Sequence, residues 1–125
     1  MKVRTALAAA AMLTILAGGG AQAQDATGVW ARENGESKVR IAPCGAALCG
    51  TITWLKSTGG KAKIGERVFF DMKPSGDNQW AGQAYNPEDG KTYTGKMTLA
   101  GAKLTTSGCV LGGLVCKSVS WTRTN

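Results

Sequence analysis

The sequence predicts an all-β protein: an eight-stranded antiparallel up-and-down barrel preceded by a cleaved signal peptide. Three observations carry this. Behind an apolar leader, eight short runs of alternating character are separated by turn-forming residues, and no helix of useful length is visible. Every connection between the runs reads as sequential, one hairpin after another. A meander of this kind has two unpaired edges unless it closes, and closure brings the run at Trp30 beside the run at Trp121.

The leader is Met1 to Ala23. Lys2 and Arg4 form a basic n-region, Ala6 to Ala17 a short apolar h-region, and Ala21-Gln22-Ala23 a small-x-small cleavage site. The apolar run is too short to span a bilayer and no second one follows, so no stable membrane insertion is expected. Residues 24–125 are then one domain, periplasmic or secreted. Of the 15 Lys and Arg, two leave with the leader, and the remaining 13 face 8 Asp and Glu for a net charge of +5. The basic residues are scattered, with a loose cluster at Lys56, Lys61, Lys63 and Arg67, and the absence of a basic stripe argues against nucleic-acid binding. The 4 cysteines, in an oxidising compartment, are expected to form disulfides. With no His in the chain, a zinc site would need all four thiolates at spacings that suit it poorly, so neither a metal nor a cofactor is expected.

The turns set the register of the strands. Asn34-Gly35 is a preferred type I′ pair, which places Trp30 opposite Val39 and Gly28 opposite Ile41. A turn through Gly45–Leu48 then sets Cys44 against Cys49, Ile41 against Ile52 and Val39 against Trp54. A Gly- and Lys-rich link, Lys56 to Gly65, leads to a strand near Arg67 to Asp71 with Val68 and Phe70 on one face, and Pro74–Asp77 turns the chain again. The loop Pro87–Gly90 pairs Ala84 with Tyr93, Gly82 with Gly95 and Trp80 with Met97. Gly101-Ala102 pairs Leu99 with Leu104, and Gly112-Gly113 pairs Cys109 with Cys116, Thr106 with Val119 and Leu104 with Trp121. The inward set is Trp30, Val39, Ile41, Ile52, Trp54, Val68, Phe70, Trp80, Ala84, Tyr93, Met97, Leu99, Leu104, Val110, Val119 and Trp121. Both cysteine pairs fall on the outward face across a hairpin, which favours Cys44–Cys49 and Cys109–Cys116.

Gly28-Val29-Trp30 on the first strand, with Arg123 at the end of the last, resembles the closing signature of lipocalins and their calycin relatives. A closer resemblance rests on several motifs in order: Ile41–Gly45, Leu48–Ile52, Tyr85–Tyr93, Gly108–Gly113 and Trp121–Arg123. They resemble a family of exported bacterial proteins known as domain of unknown function 2147, over nearly the whole mature chain. The resemblance implies a lipocalin-like barrel, closed by Arg123 over the Trp30 ring, plugged near its termini and open opposite. It implies no established activity and no catalytic residue. The Lys56–Gly65 link is shorter than is usual in that family.

Catalysis has little to work with. There is no His for acid–base work near neutral pH, and the thiols are expected to be oxidised. Glu88-Asp89 reads as part of a turn, and Ser75 and Ser107 have no visible base. No enzyme is expected. Trp54, Trp80, Tyr93 and Met97 instead point inward around a gap at Gly82 and Gly95, a candidate ligand site, although inward aromatics are more often simply core. The expected function is binding of a small apolar or amphipathic ligand, with an anionic head met by Lys61 or Lys63. The alternative is an envelope protein-interaction or inhibitor module with a filled barrel.

Overall fold

The computed structural model describes residues 25–124; the signal peptide expected over Met1 to Ala23 lies outside them. Eight strands run in chain order: β1 (Gly28–Arg32), β2 (Ser37–Cys44), β3 (Ala47–Leu55), β4 (Arg67–Gly76), β5 (Gln79–Asn86), β6 (Lys91–Ala100), β7 (Lys103–Val110) and β8 (Val115–Arg123). Each pairs antiparallel with the next, and β1 pairs with β8, so the sheet is a closed barrel without crossovers. The core holds Trp30, Val39, Ile41, Met72, Met97 and Leu104, all essentially without solvent contact.

The β1–β2, β5–β6, β6–β7 and β7–β8 registers follow the turn chemistry. Trp30 faces Val39, Gly82 faces Gly95, Leu99 faces Leu104 and Cys109 faces Cys116. The first loop differs in detail. Gly35 alone takes positive φ (79°), and Asn34 instead accepts the Glu36 N–H on Oδ1 at 3.0 Å, which makes a four-residue loop rather than a type I′ turn.

One predicted register, two predicted faces and one predicted turn are corrected, each by local backbone geometry. The β2–β3 hairpin closes on Gly45-Ala46 alone, because Gly45 takes φ 70° and a two-residue loop suffices. The strand therefore shifts by two residues: Val39 faces Ile52, Ile41 faces Gly50, and Cys49 faces Ala42 rather than Cys44. A two-residue slip keeps every side chain on its face, and Cys44 and Cys49 remain bonded, 5.8 Å apart between Cα atoms. A bulge beyond Val39 then inserts one residue into β3 ahead of Trp54. That reverses parity, so Trp54 pairs with Lys38 and stands outside the barrel, 42% exposed, with the Lys38 Nζ 5.5 Å from its ring centre. In β4, further bulges and Asp71 at φ 53° turn Phe69 and Met72 inward and leave Phe70, the residue expected inside, only partly buried and opposite the exposed Gln83. The strand runs on to Gly76, and the turn is Asp77-Asn78 instead of Pro74–Asp77.

The terminal end is sealed. Asp25–Thr27 runs beneath the barrel, Ala26 is fully buried, and its carbonyl accepts the Trp30 Nε1–H at 2.9 Å. Arg123 lies over the Trp30 ring, 4.4 Å from the ring centre. Its Nη1 donates to the Thr27 carbonyl at 2.8 Å and its Nη2 to the Asp25 carbonyl at 2.7 Å. Gly28 permits this: a Cβ there would sit 3.0 Å from the Arg123 Nη1, and its φ of 132° suits no other residue. One guanidinium thus joins the first strand, the last strand and the segment that plugs the floor.

Candidate functional site

The opposite end is open. A cavity of about 880 Å³ runs inward from the loops between β1 and β2, β3 and β4, and β5 and β6. Its deep walls are Val39, Ile52, Val68, Phe69, Val119 and Trp121, contributed by strands on several sides of the barrel. The barrel is therefore packed toward the terminal end only, and a filled interior does not describe it. Phe69 forms part of the floor. It meets Trp121 edge to face, 6.3 Å between centres and 78° between planes. The buried Thr106 lies among these apolar groups, where its hydroxyl accepts the Trp121 Nε1–H at 2.8 Å.

The rim is polar and charged. Arg32, Lys56 and Lys117 line it, and so do Glu36, Glu88 and Asp89. Lys117 shares inward parity with Val119 and Trp121 and faces Gly108, over which the Tyr93 side chain packs: a Cβ on Gly108 would lie 3.3 Å from the Tyr93 Cβ. The link after β3 is tied across the mouth. Lys56 N donates to the Glu36 carbonyl at 2.9 Å, Gly65 N to Ile52 at 2.8 Å, and Lys61 Nζ to the Glu88 carbonyl at 3.3 Å. Tyr93 reaches the rim from β6, and its hydroxyl donates to the Asp89 carboxylate. That bond holds the Asp89 carboxyl below its ordinary range and, by the same interaction, pushes the Tyr93 phenol above its own. Asp89 also accepts the Lys91 N–H at 2.9 Å, so the β5–β6 loop is fastened at its base.

Of the four residues expected around a ligand, only Tyr93 lines the cavity. Trp54 is outside, for the reason given above. Met97 is buried in the packed half. Trp80 is buried toward the terminal end, beside a second, smaller cavity of about 270 Å³ that Asp25, Pro43 and Met72 also line. The Gly82/Gly95 gap does not exist. A Cβ on Gly82 would lie 2.5 Å from the carbonyl oxygens of Phe70 and Asp71, and one on Gly95 2.9 Å from the Gln83 carbonyl carbon. The wall itself occupies that space, the β4 backbone at Phe70-Asp71 against Gly82 and the β5 backbone at Gln83-Ala84 against Gly95. Neither Lys61 nor Lys63 is among the lining cations: the Lys61 Nζ donates across the mouth to the Glu88 carbonyl and the Lys63 Nζ to the Gly60 carbonyl at 3.1 Å. Of the cations that do line the mouth, Lys56 belongs to the basic link expected at the open end, whereas Arg32 and Lys117 are not singled out by the sequence reading; for Lys117 the available signal is its parity with Trp121.

A sequential eight-stranded closed barrel, plugged beneath by its own N-terminal segment, sealed by an Arg on a Trp and hollow at the far end, is a lipocalin-like barrel. A solved structure agrees: a Helicobacter pylori protein, HP1028, described as belonging to the lipocalin family, superposes with a TM-score of 0.64 at 20% identity, covering 81% of this chain and 84% of that one. The likeness is one of fold. The chain itself belongs to the uncharacterized proteins conserved in bacteria, family DUF2147, whose model matches residues 28–123. No curated protein matches it.

Proposed function

We propose that this protein is an exported binding barrel for a small amphipathic molecule, with an apolar body held within the barrel and an anionic end at the rim. The observation that carries the reading is the cavity of about 880 Å³, apolar in depth and lined at its mouth by Arg32, Lys56 and Lys117. Sites for small ligands have this form: mostly apolar walls with a few placed polar groups. Export is supported by the leader sequence and by the two disulfides, which belong to an oxidising compartment. The role is binding without chemistry, since the chain has no His and its cysteines are paired.

Native mass spectrometry of protein purified from its own source tests this, together with calorimetric titration of dodecanoate into the delipidated protein. The wild type is expected to carry a small-molecule adduct and to bind dodecanoate. Val119→Phe, which extends a wall residue into open space, is expected to lose both while keeping its unfolding midpoint. A wild type that carries no adduct and gives no titration heat would overturn the proposal.

A further inference from the structure

The β7–β8 hairpin carries a feature the cavity does not use. Its apex reads Val110-Leu111-Gly112-Gly113-Leu114-Val115, and all four large side chains are solvent-exposed, Leu111 at 71% and Leu114 at 86%. The hairpin also projects. β1 ends at Arg32, paired with Trp121, so the stretch Val115–Val119 of β8 runs on past the end of its neighbour on that side. β7 and β8 stay paired to the last residues, Val110 with Val115, and the Cys109–Cys116 disulfide staples them just below the apex. Leu111 is held at φ 54°, a conformation unfavourable for a branched side chain, in a 3₁₀ turn that places it at the apex.

We infer that this apex is a docking point for an anionic lipid bilayer. Exposed apolar patches on a soluble protein mark interaction sites. The shape and charge select the partner. The apex is convex and narrow, so a protein would need a matching groove, whereas the interfacial layer of a bilayer accepts an apolar tip of any contour. The flanking charge is positive. The Lys96 Nζ lies 3.8 Å from where a Cβ on Gly113 would be, and Lys117 stands one residue beyond Cys116. Among the described residues neither ammonium forms an ion pair with a carboxylate; the two ion pairs there are Lys73–Asp71 and Lys103–Glu33. Apolar side chains at the tip with lysines behind them are the combination that binds anionic interfaces reversibly. The lysines meet headgroup phosphates while Leu111 and Leu114 enter the acyl boundary. Docking of this kind is peripheral and does not span the membrane. Because the apex shares an end with the cavity mouth, it sets the mouth against the bilayer, but the docking requires no ligand in the cavity.

Co-flotation of the mature protein with vesicles tests this. Vesicles of phosphatidylethanolamine with phosphatidylglycerol are compared with vesicles of phosphatidylcholine alone. The wild type is expected to float with the anionic vesicles, to do so less at high salt, and to stay behind with phosphatidylcholine. Leu111→Asp/Leu114→Asp is expected to lower the partition coefficient by on the order of 100-fold, since each Leu leaving an apolar environment costs about tenfold or more. Lys96→Gln is expected to lower it by about fivefold. Both changes lie on exposed side chains, and an unchanged circular dichroism spectrum verifies the fold. Absence of flotation with anionic vesicles, or flotation that the double Leu variant leaves intact, would overturn the inference; in the second case the lysines alone act and the apex is no membrane anchor.

Discussion

Replacing Arg123 with Ala tests whether the barrel is held shut where the geometry indicates. Three interactions go at once. The guanidinium leaves the Trp30 ring, a cation–π contact at 4.4 Å that contributes about 0.5–2 kcal/mol. The hydrogen bonds to the Thr27 and Asp25 carbonyls, at 2.8 and 2.7 Å, go with it. Both are partly solvent-accessible, so about 1 kcal/mol each is the appropriate scale even for a charged donor. The expected loss is about 2–4 kcal/mol, a large part of the stability of a domain this size. At about 4–8 °C per kcal/mol the melting temperature should fall by more than about 8 °C. Arg123→Lys should recover less than half, because an ammonium cannot lie flat on an indole and donate to two carbonyls in a fork. Urea unfolding followed by tryptophan fluorescence measures the midpoint, with the exposed Arg40→Ala as control. Hydrogen exchange adds a local readout: amides of the Asp25–Thr27 segment and of β1 should lose protection first. A midpoint for Arg123→Ala within about 0.5 kcal/mol of wild type would refute the reasoning.

Gly95→Val should destabilise by about 1–3 kcal/mol in urea, because the added carbons meet backbone rather than a void; unchanged stability would mean that the β5 backbone at Gln83-Ala84 does not approach Gly95 so closely. Cys109→Ser/Cys116→Ser should cost about 2.5 kcal/mol by the chain-entropy argument, with the hairpin apex losing hydrogen-exchange protection ahead of the core. The Tyr93–Asp89 bond has a pH window. Asp89 is depressed in the folded state, so its contribution is present above the unfolded carboxyl pKa and lost as pH falls through the lower folded value. Tyr93 is raised, so its contribution is present below the unfolded phenol pKa and lost as pH rises through the higher folded value. Spectrophotometric titration should show the Tyr93 phenol move back toward its ordinary range in Asp89→Asn; no movement would show that the bond is not formed in solution.

The strands, their order and four of the eight seams were legible because turn residues fix register locally, and the β1–β8 seam followed from the need to pair both edges. Asp89-Gly90, Gly101-Ala102 and Gly112-Gly113 each sit where hydrophobic alternation restarts, so two independent signals agree. What could not be read was the set of bulges. A bulge is one extra residue with no distinctive sequence cost, and β3 between Ile52 and Trp54 carries ordinary strand formers, Thr53 among them. Strict alternation therefore carried Trp54 inside, and the same error placed Phe70 where Phe69 lies. The candidate site suffered most: Trp54 lies where β3 is irregular, while Trp80 and Met97, on the correctly registered β5 and β6, lie below the cavity, a level that register does not give; Val110, expected inside, stands instead at the exposed β7–β8 apex. Gly82 and Gly95 show the converse. A missing side chain reads equally as space or as close backbone approach, and only the path of the neighbouring strand, β4 for Gly82 and β5 for Gly95, decides between them.

The irregular strands also decide how deep the cavity goes. An eight-stranded barrel has just enough room for side chains to fill it, so hollowness at one end must be created by something that keeps the core low. Phe69 does this. The β4 irregularity turns it inward, and it lies on Gly50 of β3, where a Cβ would be 2.6 Å from its Cδ2. With no side chain beneath it, the ring settles against β3 and turns its edge to Trp121, whose indole N–H is fixed by Thr106. These four residues come from four strands and form a floor between a packed half and an open half. Below it, Trp30, Met72 and Leu104 are fully buried and Arg123 seals the end. Above it, Lys117 and Arg32 line the open half, and Tyr93, bonded to Asp89 and packed over Gly108, braces the rim. The tight floor lets the terminal half carry stability while the mouth stays hollow, so substitutions at Arg123 and at Val119 should act on different properties of the same small barrel.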